Sequence, residues 1–303
     1  MIDIFKNKKI FITGAGTIGS AILKKVLEYD IDTVRIFDNS ELKLHDLKQV
    51  YKENKKVKLL LGDIRDKDRL KIAMRGVDIV IHTAALKHLS FCEHNPVDAV
   101  KTNILGTQNV IDVAIEENIE IMTYISTDKC CNPINVMGAT KLLGERLVIS
   151  AENYKGKCRT IFSSVRFGNV IGSSGSLIPI FENQIKNNQP LTVTDKDATR
   201  FMMKIDDAVD LILNTISISK GSEIFILKMP VIKIIDIAKQ INKQYGRDEN
   251  NMVFIGLDKG EKLREELITK EELRLAMQNE KMIVIPPKEM IPYYESLGFR
   301  MII

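Results

Sequence analysis

The chain has 303 residues, of which 45% are hydrophobic and 28% charged, and its formal net charge is +4. This composition is ordinary for a globular protein. Basic residues are scattered rather than clustered, so we expect no nucleic-acid partner. No apolar run approaches the roughly 18 residues that suggest a membrane helix, and the N-terminus lacks a signal-peptide pattern. We therefore expect no membrane span and a cytoplasmic protein, which suits the four cysteines because they form no disulfide framework.

Short apolar runs alternate with helical patterns through the first half of the chain. The predicted strands are Lys9–Thr13, Thr33–Phe37, Val57–Leu61, Asp78–His82, Glu120–Ser126 and Thr160–Phe167. The predicted helices are Thr17–Tyr29, Glu41–Lys52, Lys67–Arg75, Val97–Glu117 and Val136–Asn153. Strands rich in Ile and Val that alternate with helices indicate an α/β fold with a doubly wound parallel sheet of the Rossmann type.

The pattern changes after Gly168. A small-residue loop, NVIGSSGS, is followed by predicted helices at Leu177–Lys186 and Asp206–Ile216 and a predicted strand at Ser222–Lys228. We predict two parts. Residues 1–168 form a Rossmann domain that carries the functional residues, and residues 169–303 form a smaller α/β region that mainly binds substrate.

The first predicted strand leads directly into the glycine pattern Gly14-x-Gly16-x-x-Gly19, with Thr17 and Ile18 inside it, and a helix follows. A lone glycine triplet can be a plain turn, but this strand–turn–helix context is the one that a dinucleotide-binding loop needs. The glycines permit the tight turn, the approach of a pyrophosphate and close helix packing. The helix N-terminus then offers free N–H groups to the phosphates.

The second strand is followed by Asp38, at about the 20-residue spacing expected after the glycine pattern. A carboxylate there accepts hydrogen bonds from ribose hydroxyls and repels a 2′-phosphate, so we predict NAD rather than NADP. Asp38 also precedes a helix, where a turn or capping role is the alternative, and both roles can hold together. Further cofactor contacts are predicted after the second, third and fourth strands and in the following helix, at Asn39, Asp63, Ile64, Ala84, Ala85 and Asn103.

The fifth predicted strand ends in Ser126-Thr127-Asp128-Lys129. Polar side chains at the carboxyl end of a parallel strand lie where open α/β sheets bind ligands, and Asp beside Lys offers an acid and a base. A plain strand-to-loop transition is the alternative. Met137 and Lys141 follow near the start of a helix, at a spacing that places both side chains on one helix face.

The ordered set TGAGTIGS, AALKH, STDK, NPINVMGATK, SVRFGNVIGSSGS, TRF and GEKLRE resembles the UDP-N-acetylglucosamine 4,6-dehydratases. These are extended short-chain dehydrogenases/reductases of the polysaccharide-biosynthesis branch. The resemblance covers roughly the first 270 residues. It implies an NAD(P)-dependent lyase that oxidises a nucleotide sugar at C4, eliminates water across C5 and C6, and makes a 4-keto-6-deoxy sugar for glycan biosynthesis.

The resemblance also implies residue roles. Thr127 hydrogen-bonds the 4-hydroxyl of the substrate, Asp128 and Lys129 form the acid/base pair for dehydration, and Lys141 binds the nicotinamide ribose. Lys87 is implied to contact both the cofactor and the substrate. Nucleotide or sugar contacts are also implied for His88, Asn169, Arg200, Lys259 and Glu261.

The sequence departs from the family pattern at two points. Met137 stands where the superfamily usually has a catalytic tyrosine, and a thioether does not transfer protons, so this task falls to Thr127 with Asp128. The segment Asp258–Lys262 lacks an arginine that many relatives carry before the Gly-Glu-Lys, and lysine supplies charge there without bidentate geometry.

Two other activities remain open on the same scaffold: a nucleotide-sugar 4-epimerase or a 4-oxidase, neither of which needs elimination. A non-catalytic NAD or nucleotide-sugar sensor is a third reading, which Met137 favours and the Asp-Lys pair opposes. The histidines and cysteines lack metal-ligand spacing, so we predict no metal, and we interpret His82 as a satisfied core residue. We also expect a homo-oligomer.

Overall fold

The computed structural model describes residues 4–173 and 175–302. Its first half alternates strands and helices. In chain order they are β1 (Lys9–Thr13), α1 (Thr17–Val26), β2 (Thr33–Asp38), α2 (Glu41–Tyr51), β3 (Val57–Leu61), α3 (Lys67–Met74), β4 (Ile79–His82), α4 (Leu89–His94), α5 (Pro96–Ala99), α6 (Thr107–Glu116), β5 (Ile121–Ile125), α7 (Val136–Tyr154) and β6 (Ile161–Arg166). A π-helical segment, Val100–Gly106, joins α5 to α6, and a 3₁₀ turn, Asp128–Cys130, follows β5.

The second half has shorter and less regular elements. They are β7 (Asn169–Val170), α8 (Leu177–Lys186), β8 (Leu191–Val193), β9 (Thr199–Met203), α9 (Ile205–Ile218), β10 (Glu223–Leu227), β11 (Val231–Lys233), α10 (Ile234–Gln244), β12 (Met252–Phe254), β13 (Met277–Gln278), β14 (Met282–Ile285), α11 (Ile291–Ser296) and β15 (Arg300–Met301). Two 3₁₀ turns, Glu272–Arg274 and Lys288–Met290, lie among them.

One large sheet organises the molecule, with the strand order β15-β13-β14-β10-β6-β5-β4-β1-β2-β3. The strands from β3 to β10 in this order are parallel, and the three at the other edge are antiparallel. The order reverses between β1 and β4, so a crevice opens at the carboxyl ends of these strands, where open α/β sheets bind ligands. The predicted fold class, a doubly wound parallel sheet, is confirmed.

Both faces of the sheet are buried by helices, as its Ile- and Val-rich strands require. In β1, Ile10 and Ile12 belong to one apolar cluster, and Phe11 between them belongs to the cluster on the opposite face. This alternation follows from the two-residue period of a strand. Helices α1 and α9 contact each other on the first face, while α3, α6 and α7 cover the second.

The predicted elements lie within three residues of the observed ends, with one correction. The segment predicted as one α-helix over Val97–Glu117 is interrupted by the π-helical stretch Val100–Gly106. The wider turn carries Asn103, whose side chain bonds the backbone of Leu86 in the neighbouring loop. Such π segments recur at functional sites. The preceding helix α4 was not among the predicted elements.

Residues beyond 168 serve two structural purposes. Strands β10 and β13–β15 extend the main sheet, and α9 packs against α1. A separate apolar cluster, which includes Phe181, Leu191, Val193 and Ile234, holds α8, α10 and their strands together. The division at residue 168 stays a prediction, since the main sheet draws strands from both sides of it. Within the described ranges, no helix combines the length and apolar character needed to cross a membrane.

Candidate functional site

A cleft of about 560 Å³ opens at the carboxyl ends of the parallel strands, across the point where the strand order reverses. It is lined by the glycine loop after β1, by the segments after β2, β3, β4 and β5, by the start of α7 and by the loop after β6. Most of the predicted site residues line it: Gly14, Gly16, Thr17, Ile18, Gly19, Asp38, Asn39, Asp63, Ile64, Ala84, Ala85, Lys87, His88, Thr127, Lys129, Met137, Lys141 and Asn169.

The glycine loop has the shape that a dinucleotide needs. Gly14 has a φ of +89°, and a Cβ there would lie 3.0 Å from the backbone nitrogen of Ala84. A Cβ on Gly19 would lie 1.9 Å from the carbonyl oxygen of Gly14, so α1 packs directly on the loop. Gly16, the N-cap of α1, faces open space and has no side chain that caps the helix. The free N–H groups of the first turn can therefore receive a pyrophosphate.

The Asp38 carboxylate bonds both the glycine loop and the segment before α2. Its Oδ2 accepts a hydrogen bond from the backbone N–H of Ala15 at 2.6 Å, and its Oδ1 accepts from that of Ser40 at 2.7 Å. The carboxylate thus fixes the glycine loop against the start of α2, where Ser40 is the N-cap. Each carboxylate oxygen retains a further acceptor site. Both expected roles, in the turn and at the cleft, are compatible with this geometry.

The segment after β3 forms the adjacent wall. Asn39 donates to Asp63 at 3.2 Å, and Arg65 pairs with the same carboxylate at 2.6 Å. Burial alone would raise the pKa of Asp63, but the hydrogen bonds from Arg65 and Asn39 outweigh it and lower that pKa. Asp63 is therefore anionic at neutral pH and suited to accept hydrogen bonds.

The loop after β4 is supported from behind by Asn103. The Asn103 amide bonds the Leu86 backbone N–H and carbonyl at 2.8 and 3.0 Å, and it donates to Thr140 at 3.0 Å. Asn103 is buried, is not among the residues that line the cleft, and positions the loop after β4. Its cofactor contact stays a prediction. Burial, reinforced by neighbouring lysine charge, lowers the pKa of Lys87 and of His88.

Thr127, Asp128 and Lys129 form a connected cluster after β5. Thr127 Oγ1 donates to Asp128 Oδ1 at 2.9 Å, and Lys129 Nζ donates to the same oxygen at 3.0 Å. Lys129 also donates to Asn169 Oδ1 at 3.2 Å. Thr127, Lys129 and Asn169 line the cleft, whereas Asp128 lies fully buried beneath them. Asp128 is therefore linked to the cleft through its hydrogen bonds with Thr127 and Lys129.

Helix α7 presents Met137 and Lys141 to the cleft, as their spacing predicted. Lys141 Nζ donates to the Ile125 carbonyl at 2.5 Å and lies 4.0 Å from the centre of the Tyr124 ring. Burial lowers the pKa of Lys141 to about 7. Met137 packs with Cys92 and its apolar neighbours, so its side chain is a wall of the cleft.

Three predicted substrate residues lie elsewhere. Arg200 is buried against Glu261 and the Thr199 and Leu263 carbonyls, so its guanidinium is occupied within the protein. Lys259 is exposed on the neighbouring loop. Among the described residues, the cleft lining includes none of these three side chains. Their predicted substrate contacts stay predictions.

Sequence reasoning missed Glu265, the last residue of the GEKLRE motif. Its carboxylate lies 3.7 Å from Lys129 Nζ, and only 8% of the residue is exposed. It also missed Arg166, which is buried in ion pairs with Glu145 at 2.6 Å and Glu272 at 3.0 Å. An arginine at the end of an apolar strand and a glutamate within a recognised motif were the available signals.

His82 is the satisfied core residue that the sequence predicted. Its Nδ1 contacts Thr13 Oγ1 at 2.6 Å and its Nε2 contacts Thr107 Oγ1 at 3.1 Å. Burial, with the nearby charge of Lys141, lowers its pKa to about 3. Across residues 4–173 and 175–302, no group of three or more His, Cys, Asp or Glu side chains is arranged to hold a metal ion.

Comparison with known proteins finds one matching family and several similar enzymes. The model of a family described as polysaccharide biosynthesis protein matches residues 10–287. A UDP-N-acetylglucosamine 4,6-dehydratase (inverting) of Campylobacter jejuni is 38% identical, over 97% of this chain and 87% of its own. A protein named UDP-glucose 4-epimerase of Rickettsia felis is also 38% identical, over 90% of this chain and 81% of its own.

Solved structures agree in fold. The X-ray structure of Pen from Bacillus thuringiensis has a TM-score of 0.90 at 47% identity, covering 94% of this chain and 89% of that one. A dTDP-glucose 4,6-dehydratase from Streptomyces venezuelae, solved with NAD bound, has a TM-score of 0.78 at 21% identity, covering 88% and 90%. The chain therefore belongs to the polysaccharide biosynthesis protein family, the branch of the extended short-chain dehydrogenases/reductases that includes the UDP-N-acetylglucosamine 4,6-dehydratases.

Proposed function

We propose that this protein is an NAD-dependent nucleotide-sugar 4,6-dehydratase that acts on UDP-N-acetylglucosamine. The observation that carries this proposal is the cluster of Thr127, Asp128 and Lys129, with two of its three side chains on the cleft. An oxidation at C4 alone needs one proton acceptor. An acid and a base in addition to the hydroxyl suit the elimination of water from C5 and C6.

The cofactor would be held by the glycine loop, Asp38 and Lys141. The open approach at Gly16 and the uncapped start of α1 fit a pyrophosphate, and the Asp38 carboxylate fits an unphosphorylated ribose. When bound, NAD supplies a hydride acceptor for oxidation at C4 and a hydride donor for the later reduction at C6. Lys141, buried beside Ile125, would orient the nicotinamide ribose.

Thr127 and Asp128 would accept the proton of the 4-hydroxyl. Met137 cannot accept this proton because a thioether has no useful acid–base chemistry. Thr127 Oγ1 lies on the cleft and already donates to Asp128 at 2.9 Å. A proton from the substrate can thus move to Thr127 while the Thr127 proton moves to Asp128.

Lys129 would remove the C5 proton once C4 is a carbonyl, because the carbonyl makes that proton acidic. The electrons of the C5–H bond then form a C5–C6 double bond as the C6–O bond breaks. Asp128, protonated in the previous step, returns its proton through Thr127 to the departing 6-hydroxyl, and water leaves. Protonation at C5 by Lys129 then accompanies the reduction at C6.

A 4-epimerase is the second candidate, because a relative at 38% identity carries that name. An epimerase shares the C4 oxidation but needs no elimination, so the products differ in mass. We expect incubation with UDP-N-acetylglucosamine to give a sugar nucleotide that has lost one water. A new isomer of unchanged mass would instead establish the epimerase, and no product with this substrate would contradict the proposal.

Two near-isosteric variants, Asp128→Asn and Lys129→Met, test the assigned roles. Removing a positioned acid or base costs about 10²–10⁴-fold in rate, so elimination should limit both variants. Reduced cofactor should accumulate in Lys129→Met and be visible by its absorbance, without exchange of the C5 hydrogen with solvent. Asp128→Asn should retain exchange but oxidise more slowly, since Asp128 also serves the 4-hydroxyl. Turnover at the parent rate in both variants would refute the assignment.

A further inference from the structure

Lys129 is surrounded by three acceptors from three different segments. Its Nζ lies 3.0 Å from Asp128 Oδ1, 3.2 Å from Asn169 Oδ1 and 3.7 Å from Glu265 Oε1. The first two distances are hydrogen bonds, and the third is an ion pair without one. A neutral amine has two N–H donors, which Asp128 and Asn169 satisfy. The third position on the nitrogen must be a lone pair if Lys129 is to act as a base.

Base catalysis by Lys129 needs an acceptor for the third ammonium proton. Asp128 is unsuited to this because it receives the proton that leaves Thr127. Glu265 is the remaining carboxylate within 4 Å of Lys129 among the ion pairs of the described residues. Its residue is 8% exposed, and its Oε2 is buried without a hydrogen-bond partner among the described residues.

The surroundings of Glu265 favour a proton on it more than water does. Burial raises the pKa of Glu265 above its usual value, and the negative charge of Asp128 raises it further. The positive charges of Lys129, Arg200 and Lys262 act in the opposite direction but do not cancel this rise. The two more distant cations have other partners: Arg200 pairs with Glu261, and the Lys262 ammonium donates to a backbone carbonyl. Lys262 Nζ lies 3.9 Å from Glu265 Oε2, beyond hydrogen-bond distance.

We infer, on the basis of the proposed dehydratase function, that Glu265 is the proton partner of Lys129: when the two side chains close from 3.7 Å to hydrogen-bond distance, Glu265 takes the third ammonium proton and leaves a lone pair on Lys129. The N–H bond of Lys129 breaks as an O–H bond forms on Glu265, which gives a neutral amine and a neutral carboxylic acid. The amine then turns about its Cε–Nζ bond and gives up its hydrogen bond to Asn169, which brings the lone pair to the cleft, where it takes the C5 proton and later returns it to C5. Glu265 gives its proton back to Lys129, so the pair ends as it began. Because Glu265 acts through Lys129, it is a positioning residue.

This relay predicts a specific pH signature. In the parent enzyme the proton stays within the pair, so the rate of elimination should change little across the neutral range. In Glu265→Gln, Lys129 can lose its proton only to solvent. The rate should then be lower by about 10²–10⁴-fold at neutral pH and should rise steeply with pH, because the proton is lost to solvent.

The experiment uses the holoenzyme with UDP-N-acetylglucosamine between pH 6 and 9. Formation of the dehydrated product is followed together with the absorbance of the bound reduced cofactor. Glu265→Gln should accumulate reduced cofactor, because oxidation at C4 does not need Glu265. Glu265→Asp restores a carboxylate and should restore a flat pH profile at an intermediate rate. The matched control is Glu266→Gln, an exposed neighbour that bonds Asn132 and should behave as the parent.

The possible results separate the relay from the function on which it rests. A Glu265→Gln profile that runs parallel to the parent profile, or a parent-like rate, overturns the relay while leaving the dehydratase intact. A parent enzyme that releases no water from the substrate overturns the proposed function itself. Slow turnover with a steep pH dependence in Glu265→Gln, rescued by Glu265→Asp, supports both.

Discussion

Replacing Lys141 by methionine should stabilise the cofactor-free protein while it disables the enzyme. The side chain is buried, with its ammonium on the Ile125 carbonyl at 2.5 Å and 4.0 Å from the Tyr124 ring centre. Even with these contacts, burial lowers its pKa from 10.5 to about 7. Holding the lysine charged at pH 6 in the folded state therefore costs about 5 kcal/mol, at about 1.36 kcal/mol per pH unit.

The sign follows from proton linkage. Between pH 7 and 10.5 the unfolded chain binds more protons at this residue than the folded chain, so the free energy of unfolding rises with pH. The penalty is complete below pH 7 and relieved towards pH 10.5. Methionine has a similar volume and no charge, but it forfeits a hydrogen bond worth about 0.5–1.5 kcal/mol. We expect Lys141→Met to be more stable by about 3–4 kcal/mol at pH 6.

Denaturant unfolding of the cofactor-free variant and parent at pH 6, 7.5 and 9 measures this difference. The gap should shrink by about 1.4 kcal/mol per pH unit above pH 7. Lys48→Met, at an exposed position of α2, is the control and should show no gap that depends on pH. Cofactor binding and C4 oxidation should both be impaired in Lys141→Met. Equal pH dependence in parent and variant would refute the buried-charge argument, and normal cofactor occupancy would remove Lys141 from the site.

Three further predictions concern separate parts of the molecule. Asp38→Ser should weaken the preference for NAD over NADP in binding titrations of stripped protein, because the carboxylate that repels a 2′-phosphate is gone; tighter NADP binding by the parent would contradict the argument. Met137→Leu should retain substantial turnover and cost less than about 1.5 kcal/mol in unfolding free energy, and a loss of activity in a folded variant would reveal a role for the sulfur. Arg166→Met should destabilise the protein by about 3–5 kcal/mol, since it leaves the buried carboxylates of Glu145 and Glu272 without their cation; an unchanged denaturation midpoint would show that the pair is dispensable.

Local chemistry made much of the site predictable. The glycine loop and Asp38 are defined by spacing within one strand–turn–helix unit, and the structure places them together at the end of β1 and β2. Met137 and Lys141 lie on one face of α7 because residues four apart in a helix always do. Thr127 and Lys129 reach the cleft because parallel strands end at the same edge of the sheet.

The features that the sequence did not reveal all involve contacts between distant segments. A helical pattern over Val97–Glu117 could not reveal the π-helical interruption, which is accompanied by the bonds of Asn103 to Leu86 and Thr140. Nor could it show that Asn103 supports the cleft wall from behind. Arg200 carries a charge suited to a diphosphate, yet the structure pairs it with Glu261.

The sequence by itself predicted the fold class and the glycine loop, because each depends on periodicity or spacing within a short segment, whereas the roles at the end of β5 were implied by the family resemblance. Only the tertiary structure decided how deeply each carboxylate is buried and which charged groups lie beside it. Asp128 lies fully buried under Thr127, and Glu265, 136 positions from Lys129 in the chain, comes within 3.7 Å of its ammonium. Burial and the distance between charges govern where a proton resides, and both depend on how the C-terminal segment packs against the sheet.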